Sequence, residues 1–143
     1  MSIVYTEITL KNGGDVLDLR RGRIKEPEVR QTTVTALVDT GAWTLVIDDD
    51  TCKQLGLEVV GTESTTLADG SKAFYQLAGP VEVHWKDRRT SCDAIVLPSA
   101  DEILLGAIPL EAMDLMVHPR TEEVVGAHGD LPVHLVKGGV KHY

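Results

Sequence analysis

Short runs of alternating or β-branched residues, each stopped by a turn-forming pair, restrict the fold of this chain more than any other feature. Ile3 to Leu10 alternates polar with apolar side chains and stops at Asn12-Gly13-Gly14. Asp15 to Arg20 reads as the returning strand, before a charged turn through Gly22 and Pro27. Val29 to Val38 and Thr44 to Ile47 read as strands on either side of Asp39-Thr40-Gly41. Thr65 to Leu67 and Lys72 to Leu77 flank Ala68-Asp69-Gly70-Ser71, whose Asp-Gly pair suits a tight hairpin. Val81 to Trp85 and Ser91 to Leu97 form a further pair around Lys86 to Arg89, and short strands are expected near Leu115 to His118, Glu123 to Val125 and Val133 to Val136.

Two helices interrupt the pattern. Asp48 to Gly56 has acidic residues at its start and a closing glycine. Pro109 to Leu115 begins with a proline, which costs nothing in a first helical turn. Many strands and few helices indicate an all-β domain, closed or folded over on itself. With 143 residues and no linker or repeat, residues 1–143 are expected to form one domain.

Composition excludes several function classes. The chain carries 14 Lys and Arg against 22 Asp and Glu, a formal net charge of -8. Binding to a nucleic-acid backbone needs the opposite balance, and the basic run Arg20, Arg21, Arg23, Lys25 is surrounded by Asp15, Asp18, Glu26 and Glu28. No apolar run is long enough for a membrane helix, and Met1 to Glu7 has no signal-peptide pattern, so a cytoplasmic protein without membrane or nucleic-acid partners is expected. Cys52 and Cys92 read as reduced structural thiols. The five histidines, His84, His118, His128, His134 and His142, have no ligand spacing, and Asp48-Asp49-Asp50 lacks a calcium loop's pattern. No metal or cofactor is expected.

The chemistry concentrates in Ala36-Leu37-Val38-Asp39-Thr40-Gly41-Ala42. A carboxylate after an apolar strand is costly unless hydrogen bonds or a partner compensate it. Gly41 leaves room for a second backbone, and Thr40 offers a hydroxyl to tie the loop. The residues alone also permit an Asp that only hydrogen-bonds its own turn. Farther along stands Ile103-Leu104-Leu105-Gly106, directly before the second helix.

In that order, Leu37-Val38-Asp39-Thr40-Gly41-Ala42, the Ala68 to Ser71 hairpin and Leu104-Leu105-Gly106 resemble the retropepsin-like aspartic proteases, small bacterial type. The resemblance covers roughly Thr32 to Pro119. It implies a closed acid-protease β barrel with one or two short helices, acting as a two-fold homodimer and endopeptidase on peptide or protein substrates. Asp39 would be the catalytic acid and base, Thr40 would lock the two subunits' loops together, and Gly41 would admit the substrate backbone. Leu105 and Gly106 would support the loop from behind. Ala42, Trp43 and the flap residues Ala68, Asp69, Gly70 and Ser71 would meet substrate. Because strand residues alternate faces, only one of Phe74 and Tyr75 can point inward, to touch substrate or simply to pack the flap.

None of the other eleven Asp residues precedes Thr-Gly or Ser-Gly, so this mechanism needs Asp39 twice, once from each subunit. Two facing carboxylates share one proton, as in the aspartic-protease dyad that is the standard example of such coupling. An alternative of another class is a non-catalytic dimeric module that keeps the fold and binds peptides.

Overall fold

The computed structural model describes residues 3–129 in full and the backbone of Val133–Val136 and Gly139–His142. The side chains of His134 and His142 lie outside the described residues.

The core is a closed six-stranded barrel. Its strands are β1 (Tyr5–Asn12), β2 (Gln31–Val38), β3 (Leu45–Ile47), β5 (Lys72–Trp85), β6 (Arg88–Val96) and β7 (Ile103–Leu105), with β4 (Glu58–Thr66) hydrogen-bonded outside the ring on β5. The order around the barrel is β1-β2-β7-β3-β6-β5, and β5 returns to β1 through Thr9 to Asn12 against His84 to Val81. Closure removes the free edges that an open sheet of this size would expose. Ile8, Leu10, Ala36, Leu45, Ile47, Val81, Val83 and Leu105 fill the interior, each shielded from solvent.

Helices α1 (Gly13–Arg20), α2 (Asp49–Gln54) and α3 (Ala107–Ala112) sit between strands, with a 3-10 turn at Glu26–Glu28. The described residues therefore contain three α-helices where one or two were expected. α1 overturns the returning strand expected over Asp15 to Arg20. The Asn12 side chain accepts a hydrogen bond from the Asp15 N–H at 3.0 Å, capping a helix in place of a hairpin. Asp15 faces the first turn and accepts from Arg30 Nε at 2.8 Å and Nη2 at 2.9 Å. The Asn12 amide donates to Leu55 O at 2.8 Å, so one residue ties α1 to the end of α2.

α2 matches expectation, with Asp48 accepting from Thr51 N at 3.0 Å and Gly56 turning the chain at φ +61°. α3 starts earlier than Pro109 and ends at Ala112, because Asp114 turns the chain at φ +54° into β8 (Leu115–Val117). β8 pairs with β9 (Val124–Gly126), and β10 (Val133–Val136) pairs with β11 (Gly139–His142). The two strands expected at Lys72 to Leu77 and Val81 to Trp85 are one strand, β5, whose register shifts between Ala78 and Val81. β4 starts at Glu58, well before the expected Thr65, because the long β5 offers it a full-length partner.

Candidate active site

β2 ends at Val38, and the following loop is held from one side by the segment that leaves β7. The Asp39 N–H donates to Leu105 O at 3.0 Å, Ala107 N–H to Ala42 O at 2.9 Å, and Ile108 N–H to Trp43 O at 3.0 Å. Parallel pairing of Ala36 with Ile103 and of Val38 with Leu105 delivers the two segments side by side. Gly106 lies where they cross: a Cβ there would stand 2.2 Å from Thr44 O and 2.6 Å from Ala42 O. Its backbone is extended, so the requirement is for space rather than for an unusual dihedral angle.

Within the loop, the Asp39 Oδ1 accepts from the Gly41 N–H at 2.9 Å, and Ala42 N–H donates to Asp39 O at 3.1 Å. The second carboxylate oxygen and the Thr40 hydroxyl have no partner among the described residues. Asp39 is half-buried, while Thr40 and Gly41 are exposed. The backbone N–H groups of Asp39, Gly41 and Ala42 are thus all paired within the protein, while one Asp39 oxygen and the Thr40 hydroxyl are left over.

Two hollows meet at this loop. Asp39 and Thr40 border one of about 580 Å³, whose other walls include Val4, Val38, Leu110 and Leu115. Gly41, Ala42 and Trp43 border a second of about 430 Å³. Val46, Ile95 and Leu97 line it from the barrel, and Glu63 and Tyr75 from the ribbon of β4 and β5. The loop thus runs between the two, with Asp39 on the side of the first.

The ribbon projects beyond the barrel as a hairpin. At its tip Leu67 N–H donates to Ser71 O at 2.7 Å, the Asp69 carboxylate accepts from Ser71 N at 2.9 Å, and Gly70 takes φ +87°. The Ser71 hydrogen bonds hold the Asp69 carboxyl below its ordinary range. Ala68, Asp69, Gly70 and Ser71 are all exposed, and the second hollow is walled by the ribbon's shaft instead of its tip. Of the two aromatic candidates, Tyr75 faces the hollow and Phe74, 69% exposed, faces away.

Glu63 and the floor residues Val46, Ile95 and Leu97 were missed from sequence. Glu63 lies directly opposite Tyr75 in the hairpin register, which places both on one face. Counting outward from the Asp69-Gly70 tip would have paired them, but not told which face meets the barrel.

Elsewhere, burial pushes the Cys92 thiol up to about 11 and raises that of Cys52, so neither is poised as a nucleophile. Among the described residues no group of three or more His, Cys, Asp or Glu side chains is disposed to hold a metal ion. No helix among them is long and apolar enough to cross a membrane.

Residues 26–112 match the family described as gag-polyprotein putative aspartyl protease. That span covers more than half of the chain, from the turn before β2 to the end of α3, and the protein belongs to this retropepsin-like aspartyl protease family. Family membership supports a peptidase acting on peptide bonds. No curated protein matches the chain.

Proposed function

We propose that the protein is an aspartic endopeptidase that assembles as a two-fold homodimer, with one Asp39 carboxylate from each subunit activating water. The observation that carries this reading is Asp39 itself: half-buried after β2, fixed by Gly41 N–H, and left with an oxygen unpartnered. The chain has one such loop, so a complete pair requires a second copy. The apolar hollow beside Asp39 and Thr40, flanked by Met116 at 39% exposure, is the surface for that copy. The Thr40 hydroxyl is then available to bond the partner's loop.

In the dimer the two carboxylates share one proton. The ionised one removes a proton from water as the water oxygen attacks the peptide carbonyl carbon. The protonated one gives its proton to the carbonyl oxygen, forming a neutral tetrahedral diol. Collapse breaks the C–N bond, with one carboxyl donating a proton to the leaving nitrogen and the other recovering one from the diol. The catalytic proton count is unchanged after a turnover. Gly41 admits the substrate backbone, Ala42 and Trp43 contact it, and an extended peptide lies between the loop and the ribbon. The tip residues Ala68, Asp69, Gly70 and Ser71 close over it as a flap.

The test is Asp39→Asn, which keeps size and removes the ionisable group. Cleavage of an unstructured protein should fall on the order of 1,000-fold or more, with the fold intact by circular dichroism. Specific activity of the unaltered chain should drop on dilution as sedimentation shows dimer giving way to monomer. Substantial cleavage by folded Asp39→Asn, or by a monomer, would refute the mechanism. Peptide binding without cleavage by the unaltered dimer would favour the non-catalytic binding module.

A further inference from the structure

The cleft between the Asp39 loop and the β4–β5 ribbon carries a chemical preference of its own. Its floor is apolar, made by Val46, Ile95 and Leu97, and two aromatic rings, Trp43 and Tyr75, stand at its sides. Glu63 is the one charged side chain among the residues that line it. Glu63 takes part in no ion pair or side-chain hydrogen bond among the described residues. Its position is set by the hairpin register, where it lies directly across from half-buried Tyr75, on the opposite face from exposed Phe74.

We infer that this cleft selects substrates carrying a lysine or arginine side chain, with Glu63 as the residue that determines the choice. The inference rests on the endopeptidase reading and deepens it by naming the substrate class. A long basic side chain satisfies every part of the cleft at once. Its aliphatic stem covers the apolar floor, its charged head meets the Glu63 carboxylate, and the rings of Trp43 and Tyr75 offer π faces to the cation. A large apolar side chain would cover the floor but leave the exposed Glu63 carboxylate without a partner, and an acidic one would be repelled. The whole molecule pulls in the same direction: a formal charge of -8 on each chain, doubled in a dimer, attracts basic peptides.

The experiment has two arms. In the first, a randomised peptide pool is cut by the unaltered protein and the cleavage sites are read by mass spectrometry. Lys and Arg should be enriched at one fixed position beside the scissile bond by about fivefold to tenfold, the size expected of a partly exposed ion pair with aromatic neighbours. Glu63→Gln should erase that enrichment, Glu63→Lys should shift it towards Asp and Glu, and higher ionic strength should shrink it. In the second arm, fluorescence anisotropy follows binding of two labelled peptides, one with Lys and one with norleucine at the enriched position. The protein is Asp39→Asn, alone and combined with Glu63→Gln, and where the first arm yields no cleavage each position of the peptide is substituted in turn.

Cleavage with no basic enrichment, or enrichment that survives Glu63→Gln, overturns the inference and leaves the endopeptidase reading standing. A Lys preference in binding that Glu63→Gln removes, with no cleavage by the unaltered protein, supports the cleft's selectivity and overturns the endopeptidase reading instead. Equal binding of both peptides overturns the inference whatever the first arm shows.

Discussion

Replacing Gly106 by alanine should damage catalysis and stability together, and the structure supplies the magnitude of both effects. The new methyl carbon would stand 2.2 Å from Thr44 O, 2.6 Å from Ala42 O and 2.8 Å from Thr44 C, all of them backbone atoms that no rotamer change can move aside. The crossing segment must therefore retreat by about 1 Å, and displacements of that size around a reacting centre cost on the order of 100-fold in rate. The retreat pulls on two hydrogen bonds, Ala107 N–H to Ala42 O at 2.9 Å and Ile108 N–H to Trp43 O at 3.0 Å. Overpacking costs about 1–3 kcal/mol and each of the two weakened hydrogen bonds about 0.5–1.5 kcal/mol, so the fold should lose roughly 2–6 kcal/mol. The assay is kcat/KM on an unstructured protein beside urea unfolding of the same samples, at a concentration where the proposed dimer would be saturated. Gly106→Ala protein with unaltered unfolding midpoint and unaltered kcat/KM would refute the close approach, and with it the claim that this crossing positions the Asp39 loop.

Three other outcomes are expected. Arg88 is buried and its guanidinium donates to Met113 O at 3.0 Å, to Asp114 O at 2.7 Å and to Gly129 O, beside the Asp114 carboxylate. Arg88→Met strands these acceptors and should cost about 3–5 kcal/mol in urea unfolding, whereas a loss under 1 kcal/mol would show that the β8–β9 hairpin holds without it. Asp15 is held below the ordinary carboxylate range by its hydrogen bonds from Arg30. A depressed folded value stabilises the native state above the unfolded value, about pH 4, and that stabilisation is lost as pH falls through the folded value. The stability gap between the unaltered protein and Asp15→Asn should thus be full at pH 6 and close on acidification; a gap that widens in acid would contradict the sign. At the ribbon tip, Gly70 sits at φ +87° with nothing within 4 Å of a Cβ. Gly70→Val should meet only backbone strain, about 1–3 kcal/mol and confined to the tip, so peptide turnover should fall while the global unfolding midpoint scarcely moves; equal turnover would leave the tip without a role in closure.

What was legible in the sequence is what local chemistry decides. Asp69-Gly70 announces a tight tip, Asp48 and Gly56 bracket α2, and the Asp39 loop follows its apolar strand directly, each within a few residues. α1 was misread because Val16, Leu17 and Leu19 suit neither period cleanly, and the decisive term is the Asn12 cap, a helix signal three residues before Asp15. Barrel closure rests on β1 meeting β5, strands some seventy residues apart, a pairing no local pattern encodes. The cleft wall was hidden for a related reason. Alternation puts Glu63 with Tyr75 and Ser64 with Phe74, but register shifts at Val59 to Gly61 and at Ala78 to Val81 reset the count between ribbon and barrel. Only the closed barrel determines which face of the ribbon looks down on Trp43.

The same closure explains how one short loop can serve folding and chemistry without conflict. Leu105, Ala107 and Ile108 hydrogen-bond the backbone of Asp39, Ala42 and Trp43 from within the chain, so these contacts need neither substrate nor a second copy. The atoms left over, one Asp39 oxygen and the Thr40 hydroxyl, are near enough to solvent for water to satisfy them in a lone protomer. On the two-Asp39 reading proposed above, a lone protomer would be folded and inert. In the homodimer proposed above, association would have only to exchange those waters for the partner's loop and to cover the hollow lined by Val4, Val38, Leu110 and Leu115. On this view stability belongs to the barrel and activity to the pair, which separates them experimentally: Asp39→Asn should remove cleavage without moving the unfolding midpoint of the protomer.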